Sequence, residues 1–201
     1  MTTTYAVIGA KGGIAKTATS MGLAGAWAER DRRVLVVDAD PQGSALKWST
    51  LAGDALGFEV VALPVPDLAR RLRSLSAGYD AVVIDGPPGS LEITRGALLA
   101  ADLALVPVSP SLSEVHQMGP TMSLLLDAAA LNERLAVLVV LTRVRASTNA
   151  AKQVRGFLEG QGHALADVAI PLRQAIADGY GTGVVHDAYR WLADELDQLD
   201  D

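Results

Sequence analysis

The chain contains no cysteine. Disulfides, thiolate-held metals, iron–sulfur clusters and cysteine nucleophiles are therefore excluded, and the lack suits a reducing compartment. Aromatic residues make up only 4% of the sequence. No apolar run is long and uninterrupted enough to span a bilayer. Near the start, apolar Tyr5–Ile8 gives way at once to Lys11 and two glycines. A basic segment followed by a long apolar stretch is missing there, so no signal peptide is expected and a cytoplasmic location is. Positive charge is not in excess either. The net charge is −6, so contact with nucleic acid would need a local basic patch. What remains is a chain of 201 residues, half of them hydrophobic and dominated by Ala, Val and Leu. This composition predicts a single α/β domain over residues 1–201, with a buried sheet under helices rich in small side chains.

Apolar runs alternate with segments of helical spacing. Strands are expected at Tyr5–Gly9, Arg33–Asp38, Gly57–Leu63, Asp80–Asp85, Leu103–Val108 and Leu135–Thr142, with a short last one at Asp167–Pro171. Helices are expected at Lys16–Glu29, Ser44–Leu51, Asp67–Leu75, Leu91–Ala100, Ser113–Ala129 and Asn149–Gln161, and a helical stripe runs from Val185 to Leu199. Strands alternating with helices predict a doubly wound, mostly parallel sheet with helices on both faces. In such sheets ligands bind beyond the carboxyl ends of the strands.

Three strand ends carry the chemistry. After the first comes Ala10-Lys11-Gly12-Gly13-Ile14-Ala15-Lys16-Thr17. Consecutive amides in such a turn can point at phosphate oxygens, and the following helix adds its positive end. Lys16 can reach the β- and γ-phosphates, and the Thr17 hydroxyl can ligate magnesium. The pattern G-x-x-x-x-G-K-[ST] is not met, because Ala10 and Ala15 occupy its glycine positions. An ordinary glycine-rich turn with a solvated lysine is the other reading of this loop alone. Asp38-Ala39-Asp40-Pro41-Gln42-Gly43 follows the second strand and Asp85-Gly86-Pro87-Pro88-Gly89 the fourth. A carboxylate at such a strand end is placed to hold magnesium, directly or through water.

Together these residues resemble the ParA/MinD ATPases, which have a P-loop NTPase fold with a deviant Walker A loop. Lys11-Gly12-Gly13-x-x-Lys16-Thr17 is similar to that loop, whose mark is the extra lysine, here Lys11. Asp38-x-Asp40-Pro41-Gln42-Gly43 and Asp85-Gly86-Pro87-Pro88 resemble the second and third motifs. The resemblance implies ATP and magnesium as cofactors, with the loop from Lys11 through Gly12, Gly13, Ile14, Ala15, Lys16 and Thr17 to Ala18 around the phosphates. It implies that Lys11 reaches the nucleotide of a partner subunit, that Lys16 binds phosphate in its own, and that Asp40 positions the attacking water. Thr17, Asp38 and Asp85 would serve the metal. Arg143 and Pro171, with Leu172, would flank the base. The family has glycine where this chain has Ala15, which is accommodated only if its φ is negative.

The carboxyl-terminal stripe carries only acidic charges from Trp191 onward. That disfavours anionic lipid and points to a core-packing face, with no membrane partner. The loop's position near the tenth residue is similar to small plasmid-partition ATPases. This branch implies an ATP-dependent homodimer, non-specific DNA on the nucleoid and a ParB-like adaptor protein. Candidate DNA contacts are Arg145, Lys152, Arg155 and Arg173, while Arg70, Arg71 and Arg73 read as an exposed helix face. Two other readings stand beside this one. One is a nucleotide-dependent positioning or regulatory module with little hydrolysis and no DNA role. The other is a small-molecule ATP-dependent ligase, in which a bridging lysine would have no task.

Overall fold

The computed structural model describes residues 2–9, 11–146 and 148–200. Ala10, the first position of the expected phosphate loop, lies outside them. Six strands, β1 (Thr3–Val7), β2 (Val34–Asp38), β3 (Glu59–Ala62), β4 (Ala81–Asp85), β5 (Leu103–Val108) and β6 (Ala136–Leu141), form one sheet in the order β3-β2-β4-β1-β5-β6. Every pairing is parallel. The helices are α1 (Lys16–Ala28), α2 (Ser44–Ala52), α3 (Leu68–Leu75), α4 (Leu91–Ala100), α5 (Leu112–His116), α6 (Gly119–Ala129), α7 (Ala150–Gly160), α8 (Gln174–Asp178) and α9 (Asp187–Asp200).

The strands read as continuous apolar runs because both faces of the sheet are covered. In β1, Tyr5 and Val7 face a core shared with Trp27 of α1 and with Leu192 and Leu196 of α9. Its alternate residue Ala6, with Ile8 just beyond the strand, faces a second core with Leu98 of α4, Leu125 of α6 and Leu158 of α7. Trp27 is fully buried, stacks on Tyr5 at 4.6 Å between centroids and donates its indole N–H to Asp197 at 2.9 Å. Burying a side chain of that size is worth on the order of 3 kcal/mol. The carboxyl-terminal stripe packs as expected, with Ala188, Tyr189, Leu192, Ala193 and Leu196 buried, although Trp191 and Leu199 stay exposed.

Two expectations are corrected and one helix is new. The helix expected over 113–129 is two, α5 and α6, because Pro120, in the first turn of α6, has no amide to give the His116 carbonyl and its ring excludes a continuous helix there. Asp167–Pro171 joins no ladder and makes only an isolated bridge, Val144 with Pro171. The amides of Asp167 and Val168 are diverted to the carboxylate of Glu195 on α9, at 2.6 and 2.9 Å, and Pro171 has no amide to give. The helix α8 was not anticipated.

What positions the site is the register. Val7 of β1 and Asp38 of β2 both pair with Asp85 at the end of β4. The loop after β1 and the two aspartates therefore emerge side by side at one edge of the sheet.

Candidate nucleotide site

Between β1 and α1 the chain makes a tight turn. Gly13 and Ala15 both have positive φ, 77° and 69°, and Ile14 between them does not. Alternation of this kind turns successive amides towards one concavity, which is how a backbone gathers an anion. The condition set for accommodating Ala15, a negative φ, is therefore not met. The residue is left-handed, at φ 69° and ψ 23°, and stands as the cap of α1. An alanine in that region costs roughly 1–2 kcal/mol over the right-handed conformation. Arg143 is also left-handed, at φ 57°, and its guanidinium donates to the Gly13 carbonyl at 2.8 Å. The Thr142 hydroxyl donates to the Ile14 carbonyl at 3.2 Å. The end of β6 thus braces the turn from outside.

At the start of α1, Lys16 is almost wholly buried and its ammonium donates to the Lys11 carbonyl at 2.9 Å. Burial lowers its pKa, against the pull of Asp85 and Asp40. An ammonium this deep, with only a carbonyl as its hydrogen-bond partner, is placed to meet a stronger anion. The Thr17 hydroxyl donates to Asp85 at 2.7 Å and the Ser20 hydroxyl to the other oxygen of the same carboxylate at 3.1 Å. Asp85 is buried, and burial pushes its carboxyl up to about 7, with nearby Asp38 adding to the rise and the two hydroxyls and Lys16 opposing it. Asp38 is fully buried and likewise raised, chiefly by burial. Its oxygens accept the amides of Asp40 at 3.1 Å and Leu46 at 2.8 Å. Expected at the metal, Asp38 instead brackets the Asp40 turn to the first turn of α2.

The turn, Asp40 and Arg143 border a cleft of about 550 Å³, with Asp38, Asp85 and Ser20 behind its lining. The turn supplies Gly12, Gly13, Ala15, Lys16, Thr17 and Ala18, and Asp40 and Pro88 stand at the same opening. Arg143, Pro171 and Leu172, the residues expected to flank the base, line the same cleft together with Tyr180. Two expected members lie elsewhere. The Ile14 side chain is buried away from the cleft, and Lys11 points to α5, where it pairs with Glu114 at 2.5 Å. Two of the four expected DNA contacts are also misplaced. Arg173 lines the cleft, and Arg155 donates to the carbonyls of Ala166 and Asp167. Arg145 and Lys152 are exposed. Sequence reasoning missed Ser20, Glu114, Trp48 and Tyr180. Ser20 was findable, since it lies one helical turn beyond Lys16 and Thr17. The others depend on contacts distant in sequence.

The site fits a magnesium–nucleoside triphosphate. Magnesium takes one or two protein oxygens and completes its shell with phosphate and water. Thr17 and Asp85 offer a hydroxyl and a carboxylate, and among the described residues no three acidic or histidine side chains converge to hold an ion unaided.

Comparison with known proteins agrees. A sequence model of the CobQ/CobB/MinD/ParA nucleotide binding domain, CbiA, matches residues 5–184. The maintenance of carboxysome distribution protein A of Gloeobacter kilaueensis is 43% identical over 107 residues, 53% of this chain and 49% of that protein. The chromosome-partitioning ATPase Soj of Thermus thermophilus is 31% identical over 230 aligned positions, covering 92% of both chains. Among solved structures, the cobyrinic acid a,c-diamide synthase of Mycobacterium smegmatis with bound ADP and magnesium superimposes with a TM-score of 0.79 at 26% identity, over 98% of this chain and 95% of that one. The chain belongs to the CobQ/CobB/MinD/ParA family of nucleotide-binding domains.

Proposed function

We propose that the chain is a slow, magnesium-dependent ATPase that dimerises with ATP and positions a cellular cargo along DNA. The observation that carries this reading is the join across the sheet edge. Thr17 on the phosphate turn is hydrogen-bonded to Asp85 at the end of β4, and Asp40 shares the cleft with both Thr17 and Lys16. Magnesium held at Thr17 and Asp85 would supply charge neutralisation for the phosphates. The turn's amides and Lys16 bind and orient the phosphates. Asp85 and Ser20 hold the Thr17 hydroxyl in place for the metal. Asp40, bracketed by Asp38, holds water at the mouth of the cleft. Pro171, Leu172 and Arg143 flank the base, and Lys11 reaches the partner subunit's phosphates, offsetting the repulsion between two facing nucleotides.

DNA contact is assigned to Arg145 and Lys152, which are exposed just beyond β6. A dimer would present two such patches and bind without sequence preference. The relatives include proteins named for chromosome partition and for carboxysome distribution, so the cargo of this chain is taken as either a replicon or a protein body, met through an adaptor of the ParB kind. A nucleoid-associated cytoplasmic location follows from the same reading.

Turnover and binding test this. Lys16→Ala is expected to abolish ATP binding by calorimetry, and the unaltered protein to hydrolyse ATP several-fold faster with DNA than without it. Unchanged affinity in the variant would remove the loop from the site. Turnover indifferent to DNA would favour the positioning module that acts without it.

A further inference from the structure

Lys11 is the residue on which the proposed dimer turns, yet in the isolated chain it is engaged at home. Its ammonium pairs with Glu114 of α5 at 2.5 Å, with the lysine side chain 51% exposed and the glutamate 19% exposed. Glu114 stands over the first half of the phosphate turn. Gly9, Lys11 and Ile14 share a small crevice with Glu114 and Met118. The break at Gln117–Met118 is what places Glu114 there, because it ends α5 at His116, one turn before Pro120, and lets the short helix lie beside the turn as a separate piece.

We infer that Glu114 is a positioning residue for Lys11. It parks the bridging lysine in the monomer and sets the nucleotide concentration at which two chains associate. This rests on the assignment of Lys11 to the partner's phosphates made above. The argument is electrostatic. One ammonium cannot satisfy Glu114 and a phosphate of the facing subunit unless that carboxylate is also brought to the triphosphate, where like charge repels it. Lys11 must therefore leave Glu114 when the dimer forms. The lysines of the turn are also linked to each other, since the Lys16 ammonium donates to the Lys11 carbonyl at 2.9 Å. Phosphates that draw Lys16 inward remove that tie from Lys11, so filling a chain's own site loosens the residue that serves its partner. An exposed pair of this kind is worth about two- to fivefold in an equilibrium constant. Two break per dimer, so Glu114 is expected to raise the dimer dissociation constant by about tenfold.

Glu114→Gln and Lys11→Ala are compared with the unaltered protein by sedimentation velocity, over a titration of a slowly hydrolysed ATP analogue with magnesium. Glu114→Ala serves as a second variant at the same position. The expected result is association of both Glu114 variants at about tenfold lower protein or nucleotide concentration, with unchanged nucleotide affinity for the monomer, while Lys11→Ala stays monomeric. Damage to the fold would not produce such a gain. If the Glu114 variants associate as the unaltered protein does, or more weakly, while Lys11→Ala remains monomeric, the parking role is overturned and the bridging role stands. If Lys11→Ala associates normally, the bridging assignment falls and the inference with it.

Discussion

At the residue scale, two groups near the phosphates sit in conformations or charge states that cost free energy. Ala15 caps α1 at φ 69°, where a β-carbon is unfavourable. Ala15→Gly is expected to stabilise the nucleotide-free protein by about 0.5–1 kcal/mol, the left-handed penalty less the greater freedom of glycine in the unfolded chain. Urea denaturation checks this, and a loss of stability would mean that the turn depends on the methyl. Asp85 is the second. Its carboxyl is raised to about 7 in the folded protein, well above the usual carboxylate range, first by burial. Between about pH 4 and 7 the folded chain therefore keeps a proton that the unfolded chain has released. Stability from this group is full below pH 4 and drains away as pH rises through 7. Asp85→Asn is expected to flatten that part of the stability profile in chelator-treated, nucleotide-free protein. Parallel profiles for the two proteins would show that burial does not hold the proton.

At the scale of elements, one tie connects the last helix to the Ile170–Leu172 side of the cleft. Glu195 of α9 accepts the amides of Asp167 and Val168, which lead directly into Ile170, Pro171 and Leu172 at the cleft. Glu195→Ala removes the partner of both amides, of which that of Val168 is partly buried, at a cost of roughly 1 kcal/mol. It should weaken nucleotide binding measured by calorimetry while leaving the phosphate turn intact. Equal affinity in that variant would show that this side of the cleft is held by other contacts. The same tie explains a misreading. The run Val168-Ala169-Ile170-Pro171 is apolar and looks like a strand, but its first amide goes to a carboxylate 27 residues away, and only Ile170 exchanges main-chain hydrogen bonds, with Leu141 at the end of β6 and Val144 just beyond it. Likewise the apolar spacing of 113–129 continues across the break, and only Pro120 marks it. Elements whose partners were sheet neighbours read correctly. Leu91–Ala100 and Leu103–Val108 match their expected bounds, since a buried parallel strand is apolar throughout and a helix against it is apolar every third or fourth residue.

For the whole molecule, the motifs at the strand ends announced the architecture, because a doubly wound sheet has a single carboxyl edge and any residue just past a strand must lie on it. Lys16, Thr17, Asp40 and Asp85 were legible for that reason. The division of labour among them was not. That Asp38 serves backbone amides, that Lys11 is bound to α5, that Arg155 bonds the Ala166 carbonyl and that Arg173 borders the cleft depend on packing between segments far apart in the chain. No helix among the described residues is long and apolar enough to cross a membrane, in line with the acidic last helix.

The shared level of β1, β2 and β4 also says where this protein can tolerate change. A ladder of main-chain hydrogen bonds acts as a ruler graduated in steps of about 3.3 Å, and it sets the distance from the phosphate turn to each carboxylate. Interior valines and leucines of these strands can be exchanged for others of similar volume without disturbing that measure. A single inserted or deleted residue within β2 or β4 would carry an aspartate a full graduation out of line and turn it to the opposite face. The chemistry is thus indifferent to much of the core's composition and intolerant of its length.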